Sequence, residues 1–107
     1  MSGQVVQFRP TIGYAFEQLT VTNAVQVLTP SKYKDSTTTG GASTAFLTNA
    51  GAAICYTYDG TTPSATVGHV LADAGNLVLA GQNQMSNFKA FRQGSTDSTI
   101  TITYERE

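Results

Sequence analysis

Ser98 to Arg106 reads STITITYER, a run in which hydroxyl and apolar side chains alternate without a break. Successive side chains of a strand point to opposite faces. Ile100, Ile102 and Tyr104 therefore share one face, and Thr99, Thr101, Thr103 and Glu105 share the other. Isoleucine, threonine and tyrosine are strand formers because a branched or flat side chain packs well on a pleated surface. The isoleucine face is expected to turn toward a core and the threonine face toward water or a neighbouring molecule.

Working outward from this segment, the same period of two recurs, each time bounded by Gly, Pro, Asn or Asp, while helical periodicity is nearly absent. Residues 53–58 place Ile54, Tyr56 and Tyr58 on one face and Ala53, Cys55 and Thr57 on the other. Both faces lack charge, which suits a central strand covered on both sides. TAFLTN (44–49), residues 67–72, NLVLA (76–80) and NFKAFR (87–92) read as further strands, and residues 82–85 as one helical turn. EQLTVTNAVQVL (17–28) reads as two strands hinged at Asn23, with Leu19 and Val21 on one face and the apolar pattern resuming at Val25 and Val27. Asp59-Gly60 supplies a tight turn, since glycine tolerates positive φ and the aspartate carboxylate can accept from backbone N–H groups just ahead. The expectation is an all-β fold, a single antiparallel β-sandwich or small β-barrel of six to eight short strands. Its core should gather Ile54, Tyr56, Leu77, Leu79, Phe88, Ile100 and Ile102. Residues 17–107 form that domain, and residues 1–16 an N-terminal arm or edge strand.

Residues 29–43 carry no apolar repeat and hold Pro30, a threonine run and a Gly-Gly pair. A loop of that length is either a mobile surface loop or an arm ordered by a neighbouring subunit. In the second case Lys32, Tyr33 and Lys34 are its anchors.

A chain of 107 residues, 40% hydrophobic, is one domain with room for a core and little else. Only 12% of residues are charged, about half the usual share, and threonine, serine and asparagine carry most of the polarity. The net charge of -1 and six scattered Lys and Arg residues offer nothing to a phosphate backbone, so no nucleic acid partner is expected. No segment reaches the roughly 20 apolar residues of a membrane span, and the N-terminal MSGQVVQFRP lacks the pattern of a signal peptide. With a single cysteine, Cys55, synthesis in a reducing cytoplasm is expected.

No constellation of reactive groups emerges. His69 is the only histidine, so any serine or cysteine nucleophile would depend on it, yet no elbow surrounds a serine and Cys55 lies inside a strand. The expectation is no catalytic residue, no cofactor and no metal, with the His69 ring hydrogen-bonded to a turn carbonyl or touching a partner. One cysteine and one histidine fall short of a zinc site, and Asp59-Gly60-Thr61-Thr62 lacks the spaced acids of a calcium loop. Tyr14, Phe16, Tyr33, Tyr56, Tyr58, Phe88, Phe91 and Tyr104 could include a sugar-stacking platform, but aromatics on strands more often build core and interface.

The succession of residues 56–63 (YTYDGTTP), Gly68-His69-Val70-Leu71, Leu77-Val78-Leu79, residues 87–92 and residues 100–106 resembles a family of small structural proteins of tailed bacteriophage particles. The resemblance spans about residues 18–106. It implies a non-enzymatic virion protein, foremost a capsid decoration or cement protein that bridges subunits of the major capsid protein, otherwise a neck, tail or baseplate component. A homo-oligomer, a trimer above all, would sit on the virion. The piece YTYDGTTPS is also similar to a turn in the β-sandwich repeats of bacterial chitin- and glucan-degrading enzymes, which implies a carbohydrate-binding module as the alternative. The residues expected to meet partners are Val6 and Phe8, which could add to a neighbour's sheet edge, with Lys32, Tyr33, Lys34, Thr99, Thr101 and Thr103.

Overall fold

In the computed structural model of the chain, residues 12–34 and 41–106 are described. Eight strands and two short helices follow in the order β1 (Ile12–Val21), β2 (Gln26–Val27), α1 (Pro30–Tyr33), β3 (Thr44–Ala50), β4 (Ile54–Thr57), β5 (His69–Leu71), β6 (Asn76–Ala80), α2 (Gln82–Asn87), β7 (Lys89–Arg92) and β8 (Ser98–Arg106). They form two four-stranded antiparallel sheets, β1-β8-β3-β6 and β2-β7-β4-β5. The fold is an all-β sandwich, as the alternation implied.

β8 lies inside the first sheet, between β1 and β3, and its alternation sorts its side chains as expected: Ile100, Ile102 and Tyr104 are completely buried. Ala45 and Leu47 of β3 flank them, and Ile54, Leu79 and Phe88 complete the same cluster, with Tyr56 and Leu77 packed at its margin. β4 is an inner strand of the second sheet, and Ile54 and Cys55, on opposite faces, are both buried. The segment after the Asp59-Gly60 turn covers the outer face there, and the Cys55 thiol lies 3.7 Å from the Ala65 carbonyl oxygen.

Three local features depart from the period-two reading. β1 starts at Ile12, ahead of the boundary drawn at residue 17, and forms an edge of the first sheet. A bulge between Gly13 and Ala15 breaks the alternation in this part of the strand, so it escapes a period-two pattern. Val25 and Val27 do not continue the inward face of Leu19 and Val21; they are exposed, while Gln26 is half-buried and Leu28 fully buried. The reason is a change of sheet: after the bend at Asn23, β2 pairs with β7 of the second sheet, and parity is reset. Residues 29–34 are not plain loop either. Pro30 opens the single turn α1, and Tyr33 at its end is buried, its ring 6.0 Å from that of Tyr104. Proline suits that first position because the N–H it lacks would have no partner there. Residues 35–40 lie outside the described residues.

Two polar side chains sit on inward positions and fasten the layers. Glu17 faces inward on β1 and accepts from the Thr29 N–H (3.1 Å), the Thr29 hydroxyl (2.8 Å) and the Tyr104 hydroxyl (2.5 Å). Burial foremost, then its bond to Glu17, pushes the Tyr104 phenol far above its ordinary range, so the phenol stays a donor. Asn49 continues the inward row of Ala45 and Leu47 and is 1% exposed. Its amide nitrogen donates to the carbonyls of Ala52 (2.8 Å), Leu71 (3.0 Å) and Ala72 (3.1 Å), and its oxygen accepts from the Ser98 hydroxyl (2.5 Å). Through these bonds β3 and β8 of the first sheet hold β5 of the second.

Removing Ile102 from the core should cost about 2–5 kcal/mol as Ile102→Ala. Asn49→Ala should cost about as much, because each partner left buried and unpaired carries roughly 1–3 kcal/mol. Chemical denaturation of both variants checks this. A loss below about 1 kcal/mol for Asn49→Ala would mean that water replaces the amide at no penalty.

Candidate functional site

The outer face of the first sheet is composed by strand register. Thr103 of β8 lies opposite Phe16 of β1 on one side and Phe46 of β3 on the other, and Phe46 lies opposite Val78 of β6. Phe16, Phe46 and Val78 are 56%, 41% and 57% exposed, so one row across all four strands carries two phenylalanines and a valine on open surface. The next row is Gln18, Thr101, Thr48 and Asn76, with the Gln18 amide donating to the Thr101 hydroxyl at 3.1 Å, and beyond it Thr20, Thr99 and Ala50 align. No side chain in these rows is charged. Charge appears only at the end of the sheet, where Glu105 accepts from the Thr44 hydroxyl at 3.2 Å and Arg106 lies over the Tyr14 ring.

Thr99, Thr101 and Thr103 are thus brought together on one flat surface. Lys32, Tyr33 and Lys34 do not join them: Tyr33 is pinned beneath the inward Tyr104, and the two lysines are exposed beside it. Val6 and Phe8 lie outside the described residues. None of Phe16, Phe46 and Val78 was expected from the sequence to meet a partner on this face, although TAFLTN held the signal for Phe46. Once Ala45 and Leu47 are inward, Phe46 must point out.

A second surface forms where β4 runs into the Asp59-Gly60 turn. An open depression of about 410 Å³ is lined by Thr57, Tyr58, Asp59, Thr61, Val67, Gly68 and His69. The Asp59 carboxylate accepts from the Thr61 N–H at 3.0 Å, as the turn chemistry implied, and this bond holds its carboxyl below the ordinary aspartate range. Lys89 reaches the Gly60 carbonyl at 3.1 Å and fixes the turn from behind. Gly68 has φ +124, and a Cβ there would stand 2.8 Å from the Tyr56 carbonyl oxygen. Only glycine allows that approach, which sets His69 opposite Tyr56 in the β4–β5 ladder.

Among the described residues no turn carbonyl bonds to the His69 ring. That ring lies 5.4 Å from that of Tyr56 and 6.0 Å from that of Tyr58, and Tyr56 in turn stacks on the buried Phe88 at 5.9 Å. Of the aromatic residues weighed as a platform, Tyr33, Phe88 and Tyr104 are core, and Tyr58 fronts the depression. Burial pushes the Cys55 thiol up, away from the thiolate that a nucleophile needs. Among the described residues no group of three His, Cys, Asp or Glu could hold a metal ion, and no helix is long and apolar enough to cross a membrane.

Gly68→Ala should destabilise the domain by about 1–3 kcal/mol, the range for a side chain forced into a positive-φ position, and should displace the Tyr56 and His69 amide resonances. An unchanged melting temperature would contradict the close approach. Because the folded-state value of Asp59 is depressed, its bond to Thr61 persists above the unfolded-state value and is lost as pH falls through the folded one. Carboxyl NMR should therefore show Asp59 titrating below a free aspartate, with the Thr61 amide following the same midpoint. Comparison of the chain with family models, with characterised proteins and with solved structures finds no match.

Proposed function

We propose that this chain is a non-enzymatic structural protein of a bacteriophage particle, a capsid decoration or cement protein that lays the outer face of its first sheet against the shell and bridges major capsid protein subunits. The observation that carries this reading is the uncharged face itself. A charged side chain must be paired or stripped of water when covered, whereas threonine hydroxyls, a few amides and the Phe16–Phe46–Val78 row lose little on desolvation. Charge depletion together with exposed aromatics is the compositional mark of interface centres. Four strands about 4.8 Å apart, paired over the seven residues of β3, make a face of roughly 300–500 Å², smaller than the roughly 800 Å² per partner of a self-sufficient interface. A surface of that size gains strength by repetition, which is what a trimer on a symmetric shell provides. The resemblance of residues 18–106 to tailed-phage particle proteins points the same way, and the virion is then where the protein resides.

Phe46→Glu and Phe16→Glu test the reading. Both side chains stand outside the core, so each variant should stay folded, at a cost of about 1–2 kcal/mol from lost cross-strand contacts. Particles assembled with either should lose the protein, as measured by quantitative mass spectrometry of purified virions. Normal occupancy of both variants would remove the face from the function. Immunolabelling of particles in electron micrographs should decorate the head; label confined to neck, tail or baseplate would replace the shell as partner, and unlabelled particles would overturn the virion assignment.

A further inference from the structure

The depression between β4, its turn and β5 is separate from the flat face. Its volume of about 410 Å³ falls within the roughly 300–1,000 Å³ of small-molecule sites. Its floor is aromatic: Tyr58 is 40% exposed, the exposed His69 ring is inclined 26° to it, and both rest on Tyr56 and through it on Phe88. Rings supported from behind do not swing away when a ligand leaves. The rim is polar and mixed. The Asp59 carboxylate retains acceptor capacity beyond the bonds from the Thr61 N–H and hydroxyl, and the imidazole carries two ring nitrogens.

We propose that this depression binds a neutral saccharide, with one sugar ring laid on Tyr58 through its C–H face and its hydroxyls bonded to Asp59 and His69. A sugar presents an apolar C–H face edged by hydroxyls that both donate and accept, which is the inverse of this floor and rim. A cationic group is the other natural occupant of a tyrosine beside a carboxylate, and the tetramethylammonium titration discriminates against it. Ligands carrying phosphate or carboxylate are opposed by Asp59, held ionised by its turn. The open mouth suits one exposed unit of a longer glycan more than an engulfed monosaccharide.

The test is amide-resonance titration of the whole chain with cellotetraose, maltotetraose and tetra-N-acetylchitotetraose, with tetramethylammonium chloride as the cation probe. At least one tetrasaccharide should give saturable shifts centred on Asp59, Gly60, Thr61, Gly68 and His69, with a Kd of about 1 mM or below. Tyr58→Ala should weaken binding about tenfold or more, and Tyr58→Phe, which keeps the ring face, should restore it to within about twofold. His69→Ala, at an exposed position with little bearing on folding, should weaken it at least about threefold. Phe46→Glu should leave binding unchanged, so loss of the flat-face function and loss of this site are distinguishable. The proposal is overturned by the absence of saturable shifts with all three sugars at about 10 mM. Response to tetramethylammonium alone, shifts centred elsewhere, or unchanged affinity in Tyr58→Ala and His69→Ala would overturn it equally.

Discussion

The Asn49 amide, buried at the seam where the two sheets converge, is the contact on which the arrangement of the layers depends. A sandwich core is held by apolar burial, which is strong but non-directional and leaves the sheets free to slide or rotate over one another. Asn49 supplies direction. Its nitrogen satisfies carbonyls of Ala52, Leu71 and Ala72, its oxygen takes the Ser98 hydroxyl, and its own backbone N–H and C=O bond to Gly75 and Ala74. A single residue of β3 thereby fixes the end of β8, the crossing from β3 to β4 and the turn from β5 to β6. Displacing the sheets would leave several buried polar groups unpaired, each costing about 1–3 kcal/mol, so one register is selected over its neighbours.

Glu17 performs the same task at the far edge. An inward carboxylate would be expensive alone, but its bonds to Thr29 and Tyr104 offset the burial and tether the segment entering α1 to the first sheet. Tyr33 then packs on Tyr104, and the described part of the 29–43 segment is seated on the core from below. With polar groups committed inside, the outer face of the same sheet is left flat, hydroxyl-rich and uncharged. The core and the proposed docking face are two sides of the same four strands.

The two surfaces have different chemistry and suit different partners. The flat face offers area with little desolvation penalty and no directional chemistry, which fits a protein neighbour repeated by symmetry. The depression offers a braced aromatic floor with a small polar rim, which fits a small or terminal ligand unit. On the proposed function, the flat face would be covered by the assembly and the depression would remain a separate surface.

Alternation alone disclosed most of the architecture. The residues of β8 that turned inward, the bounds of β3 and β6 to within a residue or two, the Asp59-Gly60 turn and the shared burial of Ile54, Leu79, Phe88, Ile100 and Ile102 all follow from period two and local turn chemistry. So did the gathering of Thr99, Thr101 and Thr103, because parity within a strand is a local property. The sequence could not tell which strands share a sheet, since that depends on pairings such as β1 with β8 across some 80 positions. Consequently the parity reset between β1 and β2, the alignment of Phe16, Phe46 and Val78 into one row, and the roles of Glu17 and Asn49 were invisible until distant segments met. What the sequence determined by itself is a charge-poor β-sandwich with most of its apolar inward residues marked. What only the tertiary structure decided is which outward residues become neighbours, because register between strands is set by the packing of the whole core and by buried polar pins that no local pattern announces.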